Sequence, residues 1–246
     1  MPCRILVTML HCYSFSQTDF LSYGKTPREV RIARLRSSLE SVTEKLGSAC
    51  HEVYERAAAQ KEAYKQSNAV IRNAFSVCKR GGNDVQIKYI CLSGSDRLGD
   101  LIIKNKNILK VSTKNLRDLR KLGFVCQHYH RQHAGAYDWH IYIEDDLAIY
   151  NPNFLQKISW FAEIANKASF LVSNRYEYCP ERDITLHVNG ANLLKRRLLK
   201  HQNCKRKIQS RVLHKTVTFE RPINVHSGFW AMSAKQLNSC VDNPAF

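Results

Sequence analysis

The sequence predicts an α/β fold with a mainly parallel sheet flanked by helices. Apolar, β-prone runs alternate with amphipathic helical patterns over most of the 246 residues, and that alternation is typical of βαβ units. No Pro-, Gly- or Ser-rich linker divides the chain, and hydrophobic residues make up 44% of it, which supports an ordinary buried core. We therefore expect a single domain over residues 1–246.

The chain begins with a strand and a helix. Residues 5–10 form an apolar run typical of a buried strand. Thr26 and Pro27 suit the N-cap and the first position of a helix that ends at Gly47. The inner positions of this helix recur at helical spacing, at Val30, Ala33, Leu35, Leu39, Val42 and Leu46.

The next segment has a helical composition. Residues 48–78 are rich in Ala, Glu, Lys and Gln, so we expect a helical insertion near residues 48–83 that ends at a Gly-containing break. A strand follows over 85–92, because the residues there first alternate and then become fully apolar.

The second half of the chain continues the alternation. Helical patterns cover 116–133 and 153–167, and a last helix starts near Ser233. Strand patterns fall between these helices, at 139–143, 170–173, 217–219 and 226–232.

Three adjacent carboxylates, Glu144, Asp145 and Asp146, directly follow the strand over 139–143. Such neighbours repel one another unless a divalent cation or a set of N–H donors shares their charge. Open α/β sheets bind ligands at the carboxyl ends of their strands. One or two carboxylates there suit Mg²⁺ or Mn²⁺, with phosphate oxygens and water as the other ligands. The alternatives are another kind of metal site, or acids that cap a helix or lie in solvent.

The chain is strongly basic, with a formal net charge of +17. A balance of this sign favours a polyanionic partner, such as phosphate-bearing substrates, an acidic membrane surface or nucleic acid. Residues 184–219 contain no acid. Their basic run over 195–215 is either a solvated surface or a patch that faces phosphates or a membrane. This run has no interleaved aromatic residue over 195–215, which argues against nucleic acid.

Nine cysteines are present and none shows Cys-x-x-Cys spacing, so no ordinary structural zinc site is expected. We expect Cys3, Cys91 and Cys126 to be buried thiols because their surroundings are apolar. No apolar run reaches the length of a membrane span. The compartment stays open: a Golgi or other secretory membrane if an anchor precedes this sequence, and otherwise the cytoplasm.

The segment Tyr137-Asp138-Trp139-His140-Ile141-Tyr142-Ile143-Glu144-Asp145-Asp146-Leu147 resembles the DxD-type motif of metal-dependent glycosyltransferases with the GT-A fold. The segment His226-Ser227-Gly228-Phe229-Trp230, followed by a polar helix, agrees with that resemblance. It implies a GT-A-like (Rossmann-like) domain that transfers a hexose or another sugar from a UDP- or GDP-sugar to a glycan, protein or lipid acceptor. The early end at Phe246 suggests a domain truncated at its C-terminus. The alternatives are a basic nucleic-acid-binding protein and an inactive transferase-like fragment.

The resemblance also implies roles for single residues. Asp146 would ligate Mn²⁺ or Mg²⁺, and Asp145 would face the ribose or a second metal position. Glu144 would hydrogen-bond the nucleotide or orient its neighbours. Thr8, in the first strand, would lie near the base, and Gly228 would let the backbone approach the donor or acceptor closely.

Other polar and aromatic residues are weaker candidates for functional roles. Glu177 and Glu181 are candidates for a general base, which has to lie within hydrogen-bond distance of the acceptor hydroxyl. The histidines at 128, 130 and 133 are expected at or near the surface rather than around zinc. Sugar stacking and core packing compete for Trp139, Trp160, Phe229 and Trp230.

Overall fold

The computed structural model describes residues 3–11, 27–53, 77–92, 107–113, 121–165, 169–173, 175–179, 182–187, 207–212, 214–220 and 228–241. The elements in chain order are β1 (Arg4–Leu10), α1 (Arg28–Gly47), β2 (Ser48–Val53), β3 (Val77–Gly82), β4 (Asp84–Leu92), β5 (Ile108–Thr113), α2 (Leu122–Gln132), β6 (Trp139–Glu144), α3 (Phe154–Ile164), β7 (Tyr176–Cys179), β8 (Ile184–His187), β9 (Ile208–Val212), β10 (Lys215–Phe219), β11 (Phe229–Ser233) and α4 (Ala234–Val241).

A five-stranded sheet with the order β11-β6-β1-β4-β5 forms the centre of the described structure. The four strands from β6 to β5 are parallel, and β11 lies antiparallel on the β6 edge. The first strand of the chain is therefore the middle of the sheet, with a parallel neighbour on each side. This arrangement confirms the predicted mixed α/β fold with a mainly parallel sheet and is compatible with a Rossmann-like architecture.

Helices cover both faces of the sheet. On one face, Val7 of β1 and Ile141 of β6 share a buried cluster with Leu39 of α1 and Ile158 of α3. On the other face, Ile90 of β4 lies in a cluster with Leu122 and Cys126 of α2. Because both faces are covered, the central strands are apolar on both sides and read as continuous hydrophobic runs.

Several elements confirm the sequence predictions. The first strand, the first helix with its end at Gly47, and the strands β4 and β6 lie where they were expected. The helix α3, the hairpin of β9 and β10, the strand β11 and the helix α4 also match. Cys91 and Cys126 are buried, whereas Cys3 is only half-buried. None of the helices in the described ranges has both the length and the apolar character that crossing a membrane requires.

The helical insertion expected near 48–83 is wrong at both of its ends. Residues 48–53 and 77–82 are strands β2 and β3, which pair with each other in antiparallel register. Residues 54–76 lie outside the described part of the chain. Composition favoured a helix because helix propensity is a local quantity. The backbone hydrogen bonds of this ribbon come instead from a partner strand that is distant in sequence, which no local window reveals.

Two further predictions differ from the structure. Residues 170–173 do not form a strand. The carbonyl oxygen of the neighbouring Ser169 accepts a hydrogen bond from the side-chain amide of Gln236. On α1 the inward stripe begins at Arg31, while Val30 and Ala33 are exposed. The strand β5 had no clear sequence signal and was not predicted.

A pair of histidines is buried between α2 and the sheet, and the complete burial of His130 contradicts its expected place at or near the surface. His130 of α2 and His140 of β6 are both inaccessible to solvent, and their Nδ1 atoms lie 3.2 Å apart. The Nε2 atom of His130 is 2.8 Å from the Thr8 hydroxyl. Burial, reinforced by His140 and His133, lowers the pKa of His130 to about 3. Burial, reinforced by His133, lowers the pKa of His140 to about 4. Both rings are therefore neutral at pH 7.

This pair predicts an acid-sensitive fold. Histidines in the unfolded chain take up protons below pH 6.5 or so, whereas the folded pair stays neutral until the pH approaches its lowered pKa values. The stabilising effect is complete above the unfolded pKa and is lost as the pH falls toward 4. The free energy of unfolding should then fall by about 1.4 kcal/mol per pH unit for each histidine. Urea denaturation between pH 7 and pH 5 measures this slope.

The matched variants are His130→Gln and His128→Gln. The first removes one buried imidazole, so the slope should fall by about one proton. The second changes an exposed histidine of the same helix and should leave the slope unchanged. Equal slopes for His130→Gln and the unmodified protein would contradict a buried neutral pair.

Candidate functional site

The acidic triplet lies at the carboxyl edge of the sheet. Glu144 ends β6 and pairs in register with Leu10, the last residue of β1. Because β11 runs antiparallel to β6, the residue before it, Gly228, lies at the same edge, and its carbonyl oxygen accepts a hydrogen bond of 2.9 Å from the Glu144 N–H. His11 follows β1 at this edge and continues the ladder to the Ile90 carbonyl oxygen.

The first helix fixes the backbone that follows the triplet. The chain turns after Glu144, whose carbonyl oxygen accepts a hydrogen bond of 3.2 Å from the Leu147 N–H. The Ser38 hydroxyl donates to the Leu147 carbonyl oxygen, and the Ile149 N–H donates to the Ser41 hydroxyl oxygen over 3.0 Å. We call residues 144–147 the acidic turn. It is held by side chains of α1 as well as by the end of β6.

Asp145 is buried inside the acidic turn, where its carboxylate has two partners: a histidine ring and an arginine guanidinium. Its side-chain oxygen Oδ2 contacts Nδ1 of His11 and lies 3.4 Å from Nη2 of Arg31. The exposed fractions are 7% for Asp145, 1% for His11 and 2% for Arg31. A buried carboxylate needs such partners because leaving water costs an unpaired charge several kcal/mol. Asp145 thus links the end of β1, the end of β6 and α1.

Asp146 has a different environment. Its Oδ1 atom is buried and has no hydrogen-bond partner within the described residues. Burial is the main reason why the pKa of this carboxyl is raised, and the neighbouring Asp145 adds to the effect. Arg175 and Arg31 partly offset the rise. A cation bound beside Asp146 would favour its charged form and would be a partner for Oδ1.

Glu144 and Gly228 are in close contact. Gly228 has a φ of +64°, and a Cβ atom placed there would lie 2.5 Å from Oε2 of Glu144 and 3.1 Å from Cδ1 of Leu147. The Glu144 carboxylate therefore lies over the backbone of Gly228, in space that any other residue would occupy. Glycine is required here both for its backbone conformation and for that carboxylate.

Thr8 is the predicted site residue that the structure does not bring to this edge. It pairs with Tyr142 inside the sheet, its side chain is inaccessible to solvent, and its hydroxyl contacts His130. The other predicted residues, Glu144, Asp145, Asp146 and Gly228, converge on the acidic turn.

The remaining candidates are exposed, packed against other side chains, or outside the described residues. Glu177 is exposed and lies 3.8 Å from Arg175, while Glu181 lies outside the described residues. Phe229 packs against Phe154 with ring centroids 5.3 Å apart, and Trp230 contacts the buried His130 at 4.7 Å. Both aromatic side chains of β11 thus have packing partners. Of the basic run, residues 207–212 and 214–215 are described, and they belong to the β9–β10 hairpin.

Sequence reasoning missed His11, Arg31 and Arg175. His11 had a readable signal, because it is a polar residue directly after an apolar strand, as the triplet is. Arg31 had one as well, since it interrupts the apolar stripe of α1 four residues before Leu35. Arg175 had none, because only the folded chain brings it close to Asp146.

The carboxylates at this edge differ in how well they suit a divalent metal ion. Nowhere in the described ranges do three His, Cys, Asp or Glu side chains form a cluster able to enclose an ion. Mg²⁺ and Mn²⁺ in nucleotide sites need only one or two carboxylates, since phosphates and water supply the other ligands. Asp146 fits this role through its buried Oδ1 atom. Asp145 fits less well because its Oδ2 atom is already in contact with His11 and Arg31.

Comparisons with protein-family models, with curated proteins and with solved structures find no match for this chain. The class that the structure defines is therefore a mixed α/β protein with a mostly parallel sheet, and the site has to be judged on its own geometry.

The buried contact between Arg31 and Asp145 predicts a large effect of Arg31→Met on stability. Removing one partner of a buried ion pair typically costs 3–5 kcal/mol. Because His11 remains in contact with Asp145, we expect a loss of about 3 kcal/mol in the free energy of unfolding, measured by urea denaturation. Arg34→Met is the control, since Arg34 is exposed on the same helix and should have almost no effect. Equal stability of the two variants would contradict the ion pair.

Gly228→Ala tests the close contact beneath Glu144. The positive φ alone disfavours alanine by about 1–2 kcal/mol, and the new methyl group would displace the Glu144 carboxylate. Thermal and urea denaturation should both show the loss. Gly123→Ala is the matched control, because it lies in α2 and its nearest contact would be a Tyr142 atom at 3.9 Å. That change should be neutral or stabilising, as alanine is in helices.

Proposed function

We propose that this chain is a glycosyltransferase that uses a nucleotide-sugar donor and a divalent metal ion held at the acidic turn. The observation that carries the proposal is the Oδ1 atom of Asp146, which is buried without a hydrogen-bond partner among the described residues at the carboxyl edge of a parallel sheet. Buried polar atoms in proteins nearly always have a partner. A metal ion is a partner that suits a carboxylate in this position.

The three acids have different roles in this proposal. Asp146 is the metal ligand. Asp145 is a positioning residue, because His11 and Arg31 hold its carboxylate and so fix the backbone from which Asp146 projects. Glu144 closes over Gly228 and limits the space beside the metal. The donor is a UDP- or GDP-sugar, as the resemblance of the motif implies.

The charges around the turn suit a diphosphate. A bound Mg²⁺ or Mn²⁺ supplies Lewis-acid stabilisation of the negative charge that develops on a departing nucleoside diphosphate. Arg175 is close enough to Asp146 to lower its pKa, so a guanidinium is available for phosphate oxygens that the metal does not bind. The net charge of +17 also favours the approach of an anionic donor.

Asp146→Asn is the decisive variant for this proposal. Asparagine keeps the size of the side chain but loses its charge, so Mn²⁺-dependent binding of UDP or GDP should fall at least tenfold, which is about 1.4 kcal/mol. Isothermal titration calorimetry with and without Mn²⁺ measures the change. Because the pKa of Asp146 is raised by burial, the neutral variant should be at least as stable as the unmodified protein near pH 7.

Asp84→Asn is the matched control, since Asp84 is an exposed carboxylate at the amino edge of the sheet. It should leave nucleotide binding unchanged. An unmodified, folded protein that binds no nucleoside diphosphate with Mn²⁺ or Mg²⁺ would refute the proposed function. Equal binding by Asp146→Asn and the unmodified protein would place the metal elsewhere.

A further inference from the structure

Two exposed tyrosines lie beside the acidic turn. Tyr150 comes shortly after Asp146 and is 71% exposed, and Tyr176, the first residue of β7, is 41% exposed. Their ring centroids are 6.2 Å apart and the ring planes are inclined by 52°. Single exposed aromatic residues are common on protein surfaces, but adjacent ones form an apolar patch of the kind that binds ligands.

The backbone that carries Tyr150 is fixed together with the acidic turn. Its neighbour Ile149 is buried and donates its N–H to the Ser41 hydroxyl of α1. The same helix also contacts the turn through Ser38. The backbone of Tyr150 is therefore held by the same helix as the backbone of the acidic turn.

A cation lies next to the tyrosine pair. Arg175 directly precedes Tyr176, whose ring centroid is 6.2 Å from that of Tyr150. Its Nη2 atom is 3.8 Å from Oε1 of Glu177, which is too long for a hydrogen bond. This leaves the guanidinium able to donate to an added anion.

The combination of groups selects one ligand chemistry. Arginine binds phosphate oxygens with its planar set of N–H donors, and a carboxylate at a sheet edge binds a metal that phosphates share. Aromatic side chains stack on nucleic-acid bases whatever the base, because every base has a π-face. A phosphate group joined to a flat ring matches all three features.

We infer that Tyr150, Tyr176 and Arg175 form the subsite for the nucleoside part of the donor, with the base against the tyrosine rings and a phosphate oxygen at Arg175. The inference rests on the proposed function, because the diphosphate at Asp146 brings the base to this surface. It assigns three residues that the sequence did not single out.

The test compares two kinds of ligand on the same protein. UDP, GDP, CDP and ADP carry a base, whereas inorganic pyrophosphate has the phosphates alone, and each is titrated in the presence of Mn²⁺. For the variant Tyr150→Ala/Tyr176→Ala, the affinity for the best-bound nucleoside diphosphate should fall about 5- to 100-fold. Its affinity for pyrophosphate should stay within a factor of about two.

Two further variants serve as controls. Phe124→Ala removes an aromatic residue that is 68% exposed on α2, the helix that covers the opposite face of the sheet, and should change neither affinity. Arg175→Gln should lower the affinity for the nucleoside diphosphate and for pyrophosphate by a similar factor, because both ligands present phosphate oxygens. Circular dichroism confirms that each variant is folded.

The outcomes separate this inference from the proposed function. If the unmodified protein binds neither ligand with Mn²⁺, the proposed function fails and the subsite fails with it. If it binds a nucleoside diphosphate and the double tyrosine variant binds it equally well, only the subsite is refuted. A double variant that loses pyrophosphate as well also refutes the subsite, because its tyrosines then support the acidic turn rather than the base.

Discussion

The arrangement of this protein depends on the contact of the Asp145 carboxylate with His11 and Arg31. A buried carboxylate without partners would cost several kcal/mol, so the three side chains have to meet when the chain folds. Each comes from a different part of the fold: the end of β1, the start of α1 and the turn after β6. Their meeting fixes how the first helix lies over the sheet, and it fixes the backbone at the carboxyl edge.

The two faces of the sheet bury ionisable groups in different ways. On the side of α1, charged groups are buried together and compensate one another, as Arg31 and Asp145 do. On the side of α2, His130 and His140 are buried as neutral rings, because burial lowers their pKa values to about 3 and about 4. The buried charges therefore lie near the acidic turn, whereas the two buried histidines on the α2 side of the same strands are uncharged at pH 7.

The acidic turn has a fixed backbone and one carboxylate oxygen that has no hydrogen-bond partner among the described residues. Asp145 is held, Glu144 closes over Gly228, and Asp146 carries the buried oxygen for which the described residues supply no hydrogen bond. That division of roles is a reason to prefer ligand binding over a purely structural explanation of the triplet, because a structural role would have satisfied all three acids. The proposed metal and nucleotide sites follow from this difference.

The sequence by itself determined the fold class and the edge of the sheet that carries the acids, because apolar periodicity and the ends of strands are local properties. It also indicated that Glu144, Asp145, Asp146 and Gly228 belong to one region. Only the tertiary structure decided that residues 48–53 form a strand, that Thr8 lies beneath α2, and that Arg31 and His11 hold Asp145. Those outcomes depend on strand pairing and burial between segments far apart in sequence, whose energies no local pattern contains.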